Sequence, residues 1–317
     1  MSELPSRTSI WAAAGRAIGS RHEKPEVRNP DYFADQLLGP AERELLAPHP
    51  LAAALASSDP QAYADPEVYS AAATLIIRTK FIEERLTLAI AGGATQVVIM
   101  GAGWDTRAYR LTELLNKARV FEIDQPSTQN WKRRRAEEVI GPPPANLTYL
   151  PIDFRHQTLA EVLLAGGYDP VEKTFFIWEG VTMYLPETAI RDTLRWIASQ
   201  AAGSAVVFDF VDRALIDYIR SANFDAEPPN EAARIGLERL RQIAKWGEPW
   251  IFGIPKTTEA QYLQELGMEH RLTLGMSSQE AATRYLGWAQ ETAFPAAIRQ
   301  MYSILEAVVP LNPSRAH

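Results

Sequence analysis

Two glycines, Gly101 and Gly103 in "QVVIMGAGWDTRAYRL" (residues 96–111), end an apolar run and open a helix-like pattern. A turn of that kind lets backbone N–H groups approach a ligand. Carboxylates recur at matching places further on. Asp124 in "ARVFEID", Asp153 in "LTYLPID", Glu179 in "TFFIWEG" and Asp209 in "SAVVFDF" each fall at or just past the end of an apolar run. A strand followed by Gly-x-Gly and a helix can cradle a dinucleotide pyrophosphate, with a later acid on the ribose. Here Thr106 stands where that fingerprint has its third glycine. Asp105 would repel a pyrophosphate at the helix start, although a plain N-cap explains it too. A ligand with a sulfonium, an ammonium, a ribose and no phosphate suits an edge of acids better. S-adenosylmethionine is such a ligand. Glu122 lies two residues before Asp124 on the same strand face and competes with it for the ribose.

The elements that must position these residues read as an α/β pattern. "PEVYSAAATLIIRTKFIEERLTLAIAGG" has helical apolar spacing, a proline near its start and a glycine pair at its end. The apolar runs that follow alternate with helical stretches such as "PSTQNWKRRRAEEVIG" and "PETAIRDTLRWIASQA", which predicts a parallel sheet with ligands beyond its carboxyl edge. Residues 1–68 lack a strand pattern and read as a helical cover. Residues 212–255 break the rhythm and read as a mostly helical lid. Residues 69–211 and 256–317 form the cofactor-binding core of a single domain, which ends in the strand "MYSILEAVVP".

Composition narrows the chemistry. The chain has 317 residues, 46% of them hydrophobic, a formal charge of −7, no cysteine and five histidines. Disulfide and thiolate chemistry are excluded, and the histidines nowhere cluster at metal-ligand spacing. The negative charge argues against a nucleic-acid partner. Lys132 to Arg135, a run of basic residues, reads as a solvated helix face partly balanced by Glu137 and Glu138. The most apolar window, Leu86 to Trp104, contains four glycines and fits a helix end, a turn and a strand better than a membrane span. No signal peptide is recognisable at the start, so a cytoplasmic location is expected. Oligomeric state is not readable.

"GAGWDTRAYRL", "FEIDQP", "LPIDF" and "WEGVTMYLP", in this order and spacing, resemble the leucine carboxyl methyltransferase family, in particular its bacterial branch similar to polyketide O-methyltransferases. The resemblance implies a class I methyltransferase Rossmann-like fold with a mostly parallel seven-stranded sheet, and S-adenosylmethionine as cofactor. It also implies roles by position. Arg78 in "IIRTKF" matches the arginine that grips the donor carboxylate, Gly101 the backbone contact of the first loop and Asp124 the ribose acid. Asp153 and Phe154 match the pair around the adenine, and Glu179 the acid near the methionyl amine. The N-terminal lysine signature of the phosphatase-modifying members has no counterpart here. "AAAGRAIGSR" (residues 12–21) looks more like the small-molecule branch, which favours a polyketide or other secondary metabolite over a protein tail as acceptor.

No residue reads as a catalytic base. His156 follows the adenine motif, while His22 and His49 fall in the N-terminal cover and read as surface or capping residues. Methyl transfer from sulfonium to oxygen is an in-line displacement that mainly requires alignment and exclusion of water. A carboxylic acid acceptor is already ionised at neutral pH, whereas a phenol is not. Tyr184, Trp246, Trp250 and Phe252 suit the wall of an aromatic acceptor pocket, and a packed core or lid seam suits them as well. A NAD-dependent dehydrogenase, a methyltransferase of protein C-terminal carboxylates and a non-catalytic binding protein remain the alternatives.

Overall fold

Seven strands form one sheet in the order β3-β2-β1-β4-β5-β7-β6. They are β1 (Gln96–Met100), β2 (Arg119–Asp124), β3 (Leu147–Pro151), β4 (Thr174–Trp178), β5 (Ala205–Val211), β6 (Glu269–Gly275) and β7 (Tyr302–Val308). The first five pair in parallel, and β7 runs antiparallel between β5 and β6. This computed structural model describes residues 5–47, 49–57, 65–153, 156–221, 240–241, 243–287 and 302–311. The mostly parallel seven-stranded sheet expected from the sequence is present, and its order reverses between β1 and β4, where open α/β sheets bind ligands.

Strands β1, β4 and β5 are buried at every position because helices cover both faces, which is why they read as unbroken apolar runs. On one face, Ile76, Ile77 and Phe81 of α5 (Pro66–Ala91) pack on Val97, Ile99 and Phe175. On the other, Ile190, Leu194 and Ile197 of α9 (Glu187–Ala198) pack on Val98, Phe176 and Phe208. Helix α5 begins with Pro66 after an Asp65 cap whose carboxylate accepts from the Glu67 and Val68 N–H groups. It carries Arg78 along the sheet to the site.

The N-terminal cover consists of α1 (Arg7–Ser20), α2 (Ala34–Leu37), α3 (Pro40–Leu46) and α4 (Pro50–Ala56). Small residues let α1 lie close to α5: a Cβ on Gly15 would come within 3.2 Å of the Leu75 side chain. The opening turn of α1 reaches the glycine loop, since a Cβ on Gly103 would lie 3.2 Å from that of Ser9.

The basic run departs from the solvated face expected for it. Helix α7 (Pro126–Val139) turns Lys132 inward, 1% exposed, where its ammonium donates to the Glu122 carboxylate on β2. Arg133 lies over the Tyr149 ring, and Arg135 donates to the Leu37 and Gln36 carbonyls. Part of the segment read as a lid is core. Helix α10 (Arg213–Ser221) buries Leu215 and Ile216, and the Ile251 N–H donates to the Met183 carbonyl and the Ile254 N–H to the Val211 carbonyl. Residues 222–239 of that segment lie outside the described residues.

Candidate active site

The glycine turn follows β1, and its glycines are required by conformation and by crowding. Gly101 has φ +67° and Gly103 +49°, and a Cβ on Gly101 would overlap the Val181 side chain. The Gly101 and Ala102 N–H groups donate to the Ile123 carbonyl, and the Gly103 N–H donates to Oδ2 of Asp124 at 2.5 Å. Asp124 thereby ties the loop after β1 to the end of β2. Its Oδ1 accepts from the Gln125 N–H at 2.6 Å. Burial raises the Asp124 carboxyl above an ordinary aspartate, against the pull of these two N–H groups.

A cavity of about 1040 Å³ opens beyond this turn, at the carboxyl edge of the sheet. Arg78, Gly101, Gly103, Asp105, Asp124, Asp153 and Glu179 all border it. Phe154, expected beside the adenine, lies outside the described residues. Glu122, the reserve for the ribose, is not at the cavity. It is fully buried against Lys132, and burial raises its carboxyl to about 7 although Lys132 pulls it down. Of the two, Asp124 stands at the strand end where the cavity begins, and Glu122 does not border it.

Buried charges alternate across the site. Glu179 accepts from Arg78 Nε at 2.8 Å and from Arg107 Nη1 at 2.7 Å. Burial works to raise the Glu179 carboxyl, but Arg107 and Arg78 outweigh it and hold it well below the usual carboxylate range. Asp105 accepts from the backbone N–H of Arg107 at 2.7 Å and from its guanidinium, so its charge is spent on Arg107 as well as bordering the cavity. Asp209 lies beneath the cavity, fully buried, and accepts from Arg78 Nη1 at 2.9 Å. Nearby, Arg16 and Arg110 pair with Asp31, and Arg107 and Arg110 with Glu83. Four arginines thus meet five carboxylates, and this excess of negative charge suits a donor whose sulfonium and ammonium outnumber its carboxylate.

Three of the four aromatic candidates reach the cavity. Tyr184, Trp246 and Trp250 border it, with Leu240, Ile243 and Glu248 beside them. Phe252 does not. It is 1% exposed and packs against Tyr262 on the far side of the extended Ile251–Ile254 segment, because that segment is hydrogen-bonded to the end of β5 and turns alternate side chains into the core. Among the lining residues the Thr8 N–H donates to Glu248 at 3.2 Å, and the Arg7 guanidinium lies 5.9 Å from the Trp246 ring centre. Of the histidines, His49 caps α4, with Nδ1 accepting from the Leu51 N–H and Nε2 3.1 Å from Glu67. His22 accepts from the Lys24 N–H, and His156 is exposed.

The sequence matches the leucine carboxyl methyltransferase family over residues 9–198, more than half of the chain. The chain belongs to that family. Relatives named S-adenosyl-L-methionine-dependent methyltransferases include a Frankia alni protein, 30% identical over 214 residues that make up 67% of this chain and 71% of that one. Another, from Mycobacterium bovis, is 29% identical over 266 residues, 82% of each chain. A DUF574 family protein of known structure from Streptomyces avermitilis shares the fold, with a TM-score of 0.52 at 13% identity over 92% of this chain and 100% of that one. The protein is an S-adenosylmethionine-dependent methyltransferase.

The residues present fit that donor. The glycine turn leaves no Cβ between the loop and the cavity, Asp124 offers acceptors at the strand end, and Nη2 of Arg78 has no partner among the described residues. Several residues that brace the cavity lining are not among those the sequence points to. Arg107 stood inside the quoted motif, and an arginine two residues after an aspartate at a helix start was a usable signal. The contacts of Tyr302 with Arg78 and of Arg16 with the Trp104 carbonyl join residues far apart in sequence and have no local signal.

Proposed function

We propose that this methyltransferase transfers the methyl group to the oxygen of a small, flat carboxylic acid of the polyketide or other secondary-metabolite kind. The observation that carries the reading is one continuous cavity with a charged end at Arg78, Asp124 and Glu179 and an aromatic wall of Tyr184, Trp246 and Trp250. Its volume of about 1040 Å³ stands at the top of the range of roughly 300–1,000 Å³ usual for single small ligands, so it has room for donor and acceptor together. The contacts of Thr8 with Glu248 and of Arg7 with Trp246 tie the start of α1 to the segment that carries the aromatic wall, which favours a small molecule over a protein tail.

In this reading Arg78 offers Nη2, the guanidinium nitrogen left over by Glu179, Asp209 and Tyr302, to the donor carboxylate, Asp124 accepts from the ribose hydroxyls and Asp153 from the adenine amine. When bound, S-adenosylmethionine supplies an electrophilic methyl group. The protein aligns the acceptor oxygen with it and excludes water, which can lower the barrier by roughly 7–11 kcal/mol. Among the described residues the cavity offers no ready base. Both His49 nitrogens are engaged, and burial raises the Tyr184 phenol above ordinary tyrosine, so it stays a neutral donor. An acceptor that is ionised at neutral pH needs none.

A panel of aromatic carboxylic acids and phenols, incubated with methyl-labelled donor, tests the proposal. Labelled product that mild base hydrolyses is a methyl ester and supports it. A base-stable methyl ether moves the acceptor to phenols, and label on a C-terminal peptide carboxylate overturns the small-molecule reading.

A further inference from the structure

Tyr302, the first residue of β7, borders the cavity and is 7% exposed. It reaches the site from the antiparallel strand, more than 200 positions from Arg78 along the chain, yet Arg78 Nη1 donates to its hydroxyl oxygen at 2.7 Å. The same hydroxyl donates to Oδ2 of Asp209, the atom that also accepts from Arg78 Nη1. Arg78, Tyr302 and Asp209 therefore close a three-membered ring of hydrogen bonds. Asp209 extends it through Oδ1, which accepts from the Gly180 N–H at 2.6 Å, next in sequence to Glu179. Gly180 has φ +69°, and a Cβ there would lie 3.5 Å from both Nη1 and Nη2 of Arg78, so the loop lies flat against the guanidinium.

This arrangement uses up two of the three guanidinium nitrogens. Nε is bound to Glu179 and Nη1 to the Tyr302–Asp209 pair, so the plane of the group is fixed and Nη2 is left over among the described residues. A long arginine side chain free to rotate would lose its rotamer entropy on gripping a ligand, whereas one held at two nitrogens has lost it already. We infer that Tyr302 is a positioning residue that, together with Asp209, fixes the Arg78 guanidinium for the amino-acid end of the donor. Its ring serves a second purpose, stacking on Trp250 with planes 13° apart and ring centres 6.3 Å apart, so the aromatic wall is built on the same side chain.

The inference rests on the reading of Arg78 as the grip on the donor carboxylate, and two ligands separate the two ideas. S-adenosylhomocysteine carries the amino-acid end, while 5′-methylthioadenosine keeps the adenosine and the sulfur but lacks that end. Calorimetry with both is run on wild type, Tyr302→Phe, Asp209→Asn and Arg78→Lys, each checked for folding by its thermal transition. Tyr302→Phe keeps the ring on Trp250 and removes only the hydroxyl. It should weaken S-adenosylhomocysteine about tenfold and leave methylthioadenosine within about twofold, with Asp209→Asn showing the same selectivity. A merely structural role would move both ligands together, and that result, or no change in either, overturns the inference. Arg78→Lys that fails to discriminate the two ligands defeats the reading of Arg78 itself. Selective loss in Arg78→Lys with none in Tyr302→Phe and Asp209→Asn defeats the inference alone. Should Tyr302→Phe not fold, the Asp209→Asn variant decides by the same ratio.

Discussion

Asp124→Asn keeps the size of the side chain and changes two things at the glycine turn. Both carboxylate oxygens already accept a backbone N–H, from Gly103 at 2.5 Å and from Gln125 at 2.6 Å. Each oxygen has a second acceptor direction, free for the ribose hydroxyls in the proposed arrangement. An amide has one oxygen, so whichever way it is turned its NH₂ faces one of the two N–H groups. The variant loses a charged acceptor for the ribose and one bond that holds the loop. A hydrogen bond to a charged group contributes about 1.5–3 kcal/mol, and at about 1.4 kcal/mol per decade donor affinity should fall roughly 10- to 150-fold. The loop bond, worth about 1 kcal/mol, should lower the thermal transition only slightly.

Titration calorimetry with S-adenosylhomocysteine reads the first effect and a thermal scan the second. A pH series adds an independent arm. Burial raises the Asp124 carboxyl, and the ionised form is the one that accepts two hydroxyls. Wild-type affinity should therefore be full above that raised value and decline as pH falls through it, earlier than an ordinary aspartate would allow, while the Asn variant lacks this step. A dissociation constant within about twofold of wild type, with the protein folded, would refute the assignment of the ribose to Asp124.

Arg78→Lys should weaken S-adenosylhomocysteine about tenfold or more, because an ammonium that satisfies Glu179, Asp209 and Tyr302 has no donor left for the ligand carboxylate, where the guanidinium keeps Nη2; isothermal calorimetry on the folded variant checks it. Glu122→Gln leaves the Lys132 ammonium buried without a counter-charge and should cost about 3–5 kcal/mol in denaturant unfolding carried out above the Glu122 value of about 7, where the wild-type carboxyl is ionised. In the folded fraction its donor affinity should stay within about threefold, and a larger loss than that of Asp124→Asn would return the ribose to Glu122. Trp246→Ala removes a ring from the acceptor wall and should raise the acceptor KM about tenfold while the donor dissociation constant stays within about threefold. Equal losses for donor and acceptor would place Trp246 in the donor site.

The parallel core was legible because strands buried on both faces must be apolar throughout, and β1, β4 and β5 are. The site edge was legible for a related reason. A carboxylate immediately after an apolar run stands where the sheet stops, and Asp124 and Glu179 border the cavity there. What failed depended on partners distant in sequence. Lys132 lies in a basic run that reads as solvated, and only the packing of α7 on β2 brings it to Glu122. Phe252 follows Trp246 and Trp250 in an aromatic cluster, but its direction is set by hydrogen bonds to Met183 and by the close pass of Gly253 along Val211, which local composition does not encode. Tyr302 sits in a strand that reads correctly as a strand, and nothing in "MYSILEAVVP" tells that its hydroxyl meets an arginine on α5.

In the proposed arrangement one cavity holds the donor by Arg78 and Asp124 and presents its sulfur to the aromatic wall. A crystal structure of the protein grown with S-adenosylhomocysteine tests that most directly. The ligand carboxylate is expected within hydrogen-bond distance of the Arg78 guanidinium, both ribose hydroxyls on the Asp124 carboxylate, the adenine beside Asp153, and the sulfur facing the side of Tyr184 and Trp250. A ligand seated with its ribose away from Asp124, or with its carboxylate away from Arg78, would contradict it.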